Sequence, residues 1–143
     1  MVNEDILEMF REILDEMKEY SNNGVPLIVE GKRDEASLRR IGFSGPIVTV
    51  SGARLHEIAE KSRGREVIVL TDFDEEGERL AETILSYRVE NDKLTVYFRG
   101  KIRKLKAHVT PCVEGFAKLY FKAENTRREN VNLFEKANLE LVT

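Results

Sequence analysis

The sequence predicts an α/β domain, a mostly parallel sheet of about four strands flanked by helices. Three observations carry this. Unbroken apolar runs, VPLIV at 25–29, PIVTV at 46–50 and VIVL at 67–70, read as strands covered on both faces, the mark of a parallel sheet. The stretches between them place apolar residues at spacings of three and four, the period of a helix lying on that sheet. Gly, Asn and Ser punctuate the joints, at Asn22 to Gly24, Gly42 and Ser62 to Gly64.

Taken in order, the first element is a helix over residues 4–20. Ile6, Leu7, Phe10, Ile13, Leu14 and Met17 form its apolar stripe, and its opposite face is acidic. A strand at 26–29 follows and ends at Glu30-Gly31. Residues 34–41 read as a helix with Asp34 as its amino-terminal cap and Gly42 as its stop. A second strand, 46–50, leads into a short helix at 54–61. The third strand, 66–70, is followed by a helix at 76–87 that buries Leu80, Ala81, Ile84 and Leu85. A polar turn at 90–93 precedes a fourth strand at 94–98, where TVYF is rich in β-formers. A last helix over 125–141 has Val131, Leu133, Phe134, Ala137 and Leu141 as its buried positions.

At 143 residues the chain is expected to be a single domain with a core large enough to fold unaided. Charged residues make up 34% of it, and the net charge is −3. No apolar run approaches the roughly 20 residues that span a bilayer. The first residues carry acids where a secretory signal needs bases. A soluble, cytoplasmic protein without a membrane partner is expected. Cys112 is the only cysteine, which excludes an internal disulfide and a Cys-based zinc cluster. Gln and Trp are absent while Glu, Lys and Arg are plentiful, a balance that leans toward heat adaptation.

Chemistry concentrates at IVLTDFDEEGE, residues 68–78. A strand places alternate side chains on one face, so Asp72 and Asp74 at its carboxyl end aim at one point. A hard dication such as Mg²⁺, which prefers oxygen ligands, would resolve their mutual repulsion; the plainer reading is that acids after a strand simply begin a helix. Glu75 and Glu78 read as ordinary acids of a first helical turn, and Glu76 as a third or water-mediated ligand. In open parallel sheets, ligands gather at the carboxyl ends of strands, where Glu30 also falls. A basic run follows, with Arg99, Lys101, Arg103, Lys104 and Lys106 and no acid among them. Phosphate contact and a solvated helical face are equally good readings of it. Ser51 and Gly52 read as turn residues, and His56 and His108 lack metal-ligand spacing.

Two segments together, LIVEGKRDE at 27–35 and VIVLTDFDEEGERLA at 67–81, resemble the Toprim domain. That domain is shared by topoisomerases, bacterial-type primases, nucleases of the overcoming-lysogenization-defect class, recombination-repair proteins and the nuclease that matures 5S ribosomal RNA. The resemblance covers 25–98, leaving the helix at 4–20 and a basic, helical extension at 99–141 outside it. It implies a Rossmann-like fold, Glu30 as general acid or base, Asp72 and Asp74 as ligands of Mg²⁺ or Mn²⁺, and Glu76 as the third acid of the topoisomerase form. Gly31 would let backbone and substrate approach, while Lys32 and Arg33 read equally well as phosphate contacts and as a solvated pair opening a helix. The chain has no room for a topoisomerase gate or for primase modules, and Tyr20, Tyr87, Tyr97 and Tyr120 read as packing residues. What remains is a minimal Toprim protein. Metal-dependent hydrolysis of RNA or DNA, in RNA processing or DNA repair, is its simplest chemistry. The alternative is a non-catalytic module that binds nucleic acid or docks on a protein partner or a second copy of itself.

Overall fold

A computed structural model describes residues 3–51, 54–89 and 92–142. Gly52 and part of the turn expected at 90–93 lie outside these residues. The element order is α1 (Glu4–Asn22), β1 (Leu27–Val29), α2 (Lys32–Ile41), β2 (Ile47–Thr49), α3 (Leu55–Lys61), β3 (Ile68–Val69), α4 (Glu75–Ser86), α5 (Lys93–Leu105), a 3-10 turn (Val113–Gly115) and α6 (Phe116–Val142). The three strands are parallel in the order β2-β1-β3, which makes β1 central. Side-chain alternation along the strands divides the core in two. Leu27, Val29, Ile68 and Leu70 pack with α1, α2, α5 and α6, while Ile28, Val67 and Val69 pack with Ile58 of α3 and Ala81 and Ile84 of α4. Leu80 and Leu85 are only partly buried.

Three expectations are corrected. The start of α2 lies two residues earlier than the sequence indicates, with Gly31 in the cap position. Asp34 stands in the first turn, where its Oδ2 accepts from the Gly31 N–H at 3.0 Å. Residues 94–98 form no strand. They belong to α5, because Leu94, Phe98, Ile102 and Leu105 continue one helical stripe into the core. Side chains of that helix satisfy the edge of β3 that a fourth strand would have taken. Buried Thr95 accepts from the Val69 N–H at 3.0 Å through Oγ1 and donates to the Val67 carbonyl at 3.1 Å, while Arg99 donates to the carbonyls of Val69 and Thr71. An open ladder edge inside a protein demands such partners.

The third correction concerns α6. Its first turns pack antiparallel to α1: the Tyr120 hydroxyl donates to Asp15 at 2.6 Å, and Glu124 lies 3.6 Å from Arg11. From Arg127 onward the described side chains are exposed. Val131, Leu133, Phe134, Ala137 and Leu141 are therefore on the surface rather than buried, with Phe134 67% and Leu141 86% exposed. No helix among the described residues is long and apolar enough to cross a membrane.

Candidate metal centre

Parallel pairing of β1 with both neighbours sets their carboxyl ends side by side, so the residue after β1 meets the loop after β3. The Asp72 N–H donates to Glu30 Oε2 at 2.7 Å, joining two acids 42 positions apart in sequence. Burial chiefly, with the charges of Asp72 and Asp34 behind it, holds the Glu30 carboxyl above its ordinary value, against the pull of that N–H. Asp34 is buried beneath Gly31 and is likewise pushed up, first by burial and then by Asp72 and Glu114.

The two aspartates are fixed by backbone donors. Asp72 Oδ1 accepts from the Val113 N–H at 2.8 Å. Asp74 caps α4, its Oδ1 accepting from the Gly77 N–H at 2.7 Å. Gly77 is required there, since a Cβ would overlap the Asp72 carbonyl. Between the acids, Phe73 turns into the core and its N–H donates to the Pro111 carbonyl at 2.7 Å. The loop is held from behind by Arg99, 3% exposed, which donates to the Thr71 and Asp72 carbonyls at 2.8 and 3.0 Å and lies 4.2 Å from the Phe73 ring centroid. Arg99 shares Glu78 with Arg103. The hydrogen bonds from these two guanidiniums hold Glu78 at about 2, well below the carboxylate range.

One ligand atom each from Asp72, Asp74 and Cys112 lie within 4.8 Å of one another. Two carboxylates held by single backbone bonds each retain a second oxygen, a donor set that fits a divalent cation. Glu76 is exposed in the first turn of α4 and is not part of this cluster. Gly31, Lys32 and Arg33 sit beside Glu30 at the start of α2. Lys32 and Arg33 are exposed, Arg33 is 3.9 Å from Glu114, and a Cβ on Gly31 would meet open space. The basic run separates by helical phase. Arg99 and Arg103 are engaged with Glu78, whereas Lys101 and Lys104 line a groove with Glu12 and Glu16 of α1, away from the aspartates. Lys106, by contrast, reaches the site loop, its Nζ donating to the Phe73 carbonyl at 3.3 Å. Cys112, Lys106 and buried Asp34 are the neighbours that motif reading missed. Lys106 and Asp34 carried signals, the one by its place in the basic run and the other by its place in LIVEGKRDE, whereas Cys112 carried none.

The Toprim domain pattern matches residues 25–105, more than half of the sequence. The chain belongs to the Toprim domain family. This Toprim protein is also similar to UPF0292 proteins: 39% identical to one from Thermococcus gammatolerans over 78% of this chain and 80% of that protein, and 37% identical to one from Pyrococcus furiosus over 84% and 88%. Among solved structures it resembles a putative protein from Aquifex aeolicus, with a TM-score of 0.54 and 27% identity over 72% of this chain and 94% of the other. Membership associates the protein with divalent metals and nucleic acid.

Proposed function

We propose that this Toprim protein is a Mg²⁺- or Mn²⁺-dependent nuclease that hydrolyses phosphodiester bonds in RNA or DNA. The observation that carries the reading is the Glu30–Asp72 contact, which sets a carboxyl with a raised pKa directly against the metal-binding loop. A bound dication would neutralise phosphate charge and orient the scissile group. Glu30 supplies the proton chemistry. Its Oε2 is occupied by the Asp72 N–H, which leaves Oε1 to take a proton from the attacking water or return one to the leaving oxygen. Phosphorus gains the water oxygen as its bond to the leaving oxygen breaks. Lys32 and Arg33, with Lys106 from the other side, offer cations to flanking phosphates, and bare Gly31 leaves room for the strand. Arg99 acts as a positioning residue through the Asp72 carbonyl.

The test is cleavage of labelled structured RNA, single-stranded DNA and duplex DNA with Mg²⁺ or Mn²⁺, comparing wild type with Glu30→Gln and Asp72→Asn. Cleavage that both substitutions abolish supports the nuclease and identifies its substrate class. Binding without cleavage, unchanged by either substitution, favours the second reading, a docking module. That reading draws on the exposed apolar end of α6, where Leu133, Phe134 and Leu139 face solvent.

A further inference from the structure

The metal centre has a neighbour of unlike chemistry. Cys112 comes from the segment before α6, 40 positions from Asp72, and its sulfur is the third atom of the Asp72, Asp74 and Cys112 cluster. Its place there is enforced from both sides. The residue before it, Pro111, accepts the Phe73 N–H at 2.7 Å, and the residue after it, Val113, donates to Asp72 Oδ1 at 2.8 Å. Two bonds thus tie the flanks of Cys112 to Asp72 itself and to Phe73 between the two aspartates. A third, from the Cys112 N–H to Thr110 Oγ1 at 3.2 Å, fixes its own backbone. Mg²⁺ gains nothing from a thiol, since it prefers oxygen ligands. Zn²⁺ is bound by both thiolate and carboxylate, and three protein ligands with one open position is its catalytic pattern.

We propose that Cys112 is a third protein ligand at the Asp72–Asp74 centre, which lets the site take a thiophilic dication, Zn²⁺, on two carboxylates and one thiolate, in competition with Mg²⁺ held by the carboxylates alone. The thiol releases its proton to solvent as the sulfur–metal bond forms. This rests on the metal centre of the proposed function but not on cleavage.

With a single cysteine in the chain, thiol chemistry reports on Cys112 alone. Iodoacetamide alkylation of the full chain, followed by mass spectrometry, should slow at least tenfold under saturating Zn²⁺ and change less than twofold under Mg²⁺. Cobalt titration should give a thiolate-to-cobalt charge-transfer band in the wild type that Cys112→Ser lacks. Cys112→Ser should also lose at least tenfold in Zn²⁺ affinity while Mn²⁺ affinity, read by electron paramagnetic resonance, changes less than twofold. Equal alkylation with and without Zn²⁺, or Co²⁺ bound without the band, overturns the proposal. If Mn²⁺ then still binds wild type and fails with Asp72→Asn, the metal centre itself survives. If neither Mn²⁺ nor Co²⁺ binds the wild type, both fall together.

Discussion

Arg99→Met is the sharpest test of how the site loop is held. The substitution keeps most of the volume and removes the guanidinium, which is 3% exposed and donates to the Thr71 carbonyl at 2.8 Å and the Asp72 carbonyl at 3.0 Å. The Val69 bond, at 3.3 Å, is weaker, and Glu78 keeps Arg103 as a partner. Leaving a buried acceptor unpaired costs about 1–3 kcal/mol. Two well-made carbonyl bonds and part of an ion pair therefore predict a loss of about 3–5 kcal/mol, the range for breaking a buried pair from one side. Arg103→Met is the control. Its side chain is 48% exposed, so the same chemical change should cost below about 1 kcal/mol. Urea unfolding followed by circular dichroism reads the difference as a midpoint shift of roughly 2 M at unchanged slope, for slopes of about 1–3 kcal/mol per molar. An Arg99→Met loss no greater than that of Arg103→Met would refute the role of Arg99 in holding the loop.

Gly77→Ala and Gly31→Ala should part company: the first places a Cβ on the Asp72 carbonyl and should destabilise by more than about 2 kcal/mol, while the second meets open space and should keep the wild-type melting temperature. Cleavage measured on Gly31→Ala should nonetheless fall at least tenfold, because the proposed path of the substrate strand crosses that open space. Glu78, at about 2 in the fold against an ordinary 4.5, stabilises fully above pH 4.5, and that contribution is lost as pH falls toward 2. The interval is worth about 3 kcal/mol at full strength, which solvent screening at this open rim reduces to about 1–2 kcal/mol. Denaturant curves across pH should show the gap between wild type and Glu78→Gln closing on acidification, and a constant gap would contradict the pairing. Phe134→Ser should leave the unfolding midpoint within about 0.5 kcal/mol of wild type, whereas Phe116→Ala, fully buried, should lose about 3–5 kcal/mol.

The legible parts of the molecule were those whose signal is local. Three strands stood out as unbroken apolar runs, and the aspartate pair as a motif at a strand end. Residues 94–98 misled because over five residues a β-branched and aromatic run is indistinguishable from a strand. Its helical period appears only when Leu94 and Phe98 are read together with Ile102 and Leu105. The apolar residues of α6 have the same spacing whether or not another element covers them. Their exposure is a fact of tertiary packing that spacing does not encode. Cys112 had no motif to announce it, since its approach to Asp72 depends on bonds that close only in the folded chain.

The missing fourth strand is tied to the site. Had residues 94–98 paired with β3, backbone groups would have closed the sheet edge and no side chain would have crossed it. A helix closes that edge with side chains instead, and a side chain can reach farther than the ladder. Thr95 satisfies β3 itself, and Arg99, four residues on, spans from the Val69 carbonyl to the Asp72 carbonyl. The residue that closes the sheet edge is therefore also the one that fixes the Asp72–Asp74 loop, so stability and site geometry share a single guanidinium. A substitution at Arg99 that preserved the loop while losing the edge is not available to this architecture, and mutations there should move stability and metal affinity together.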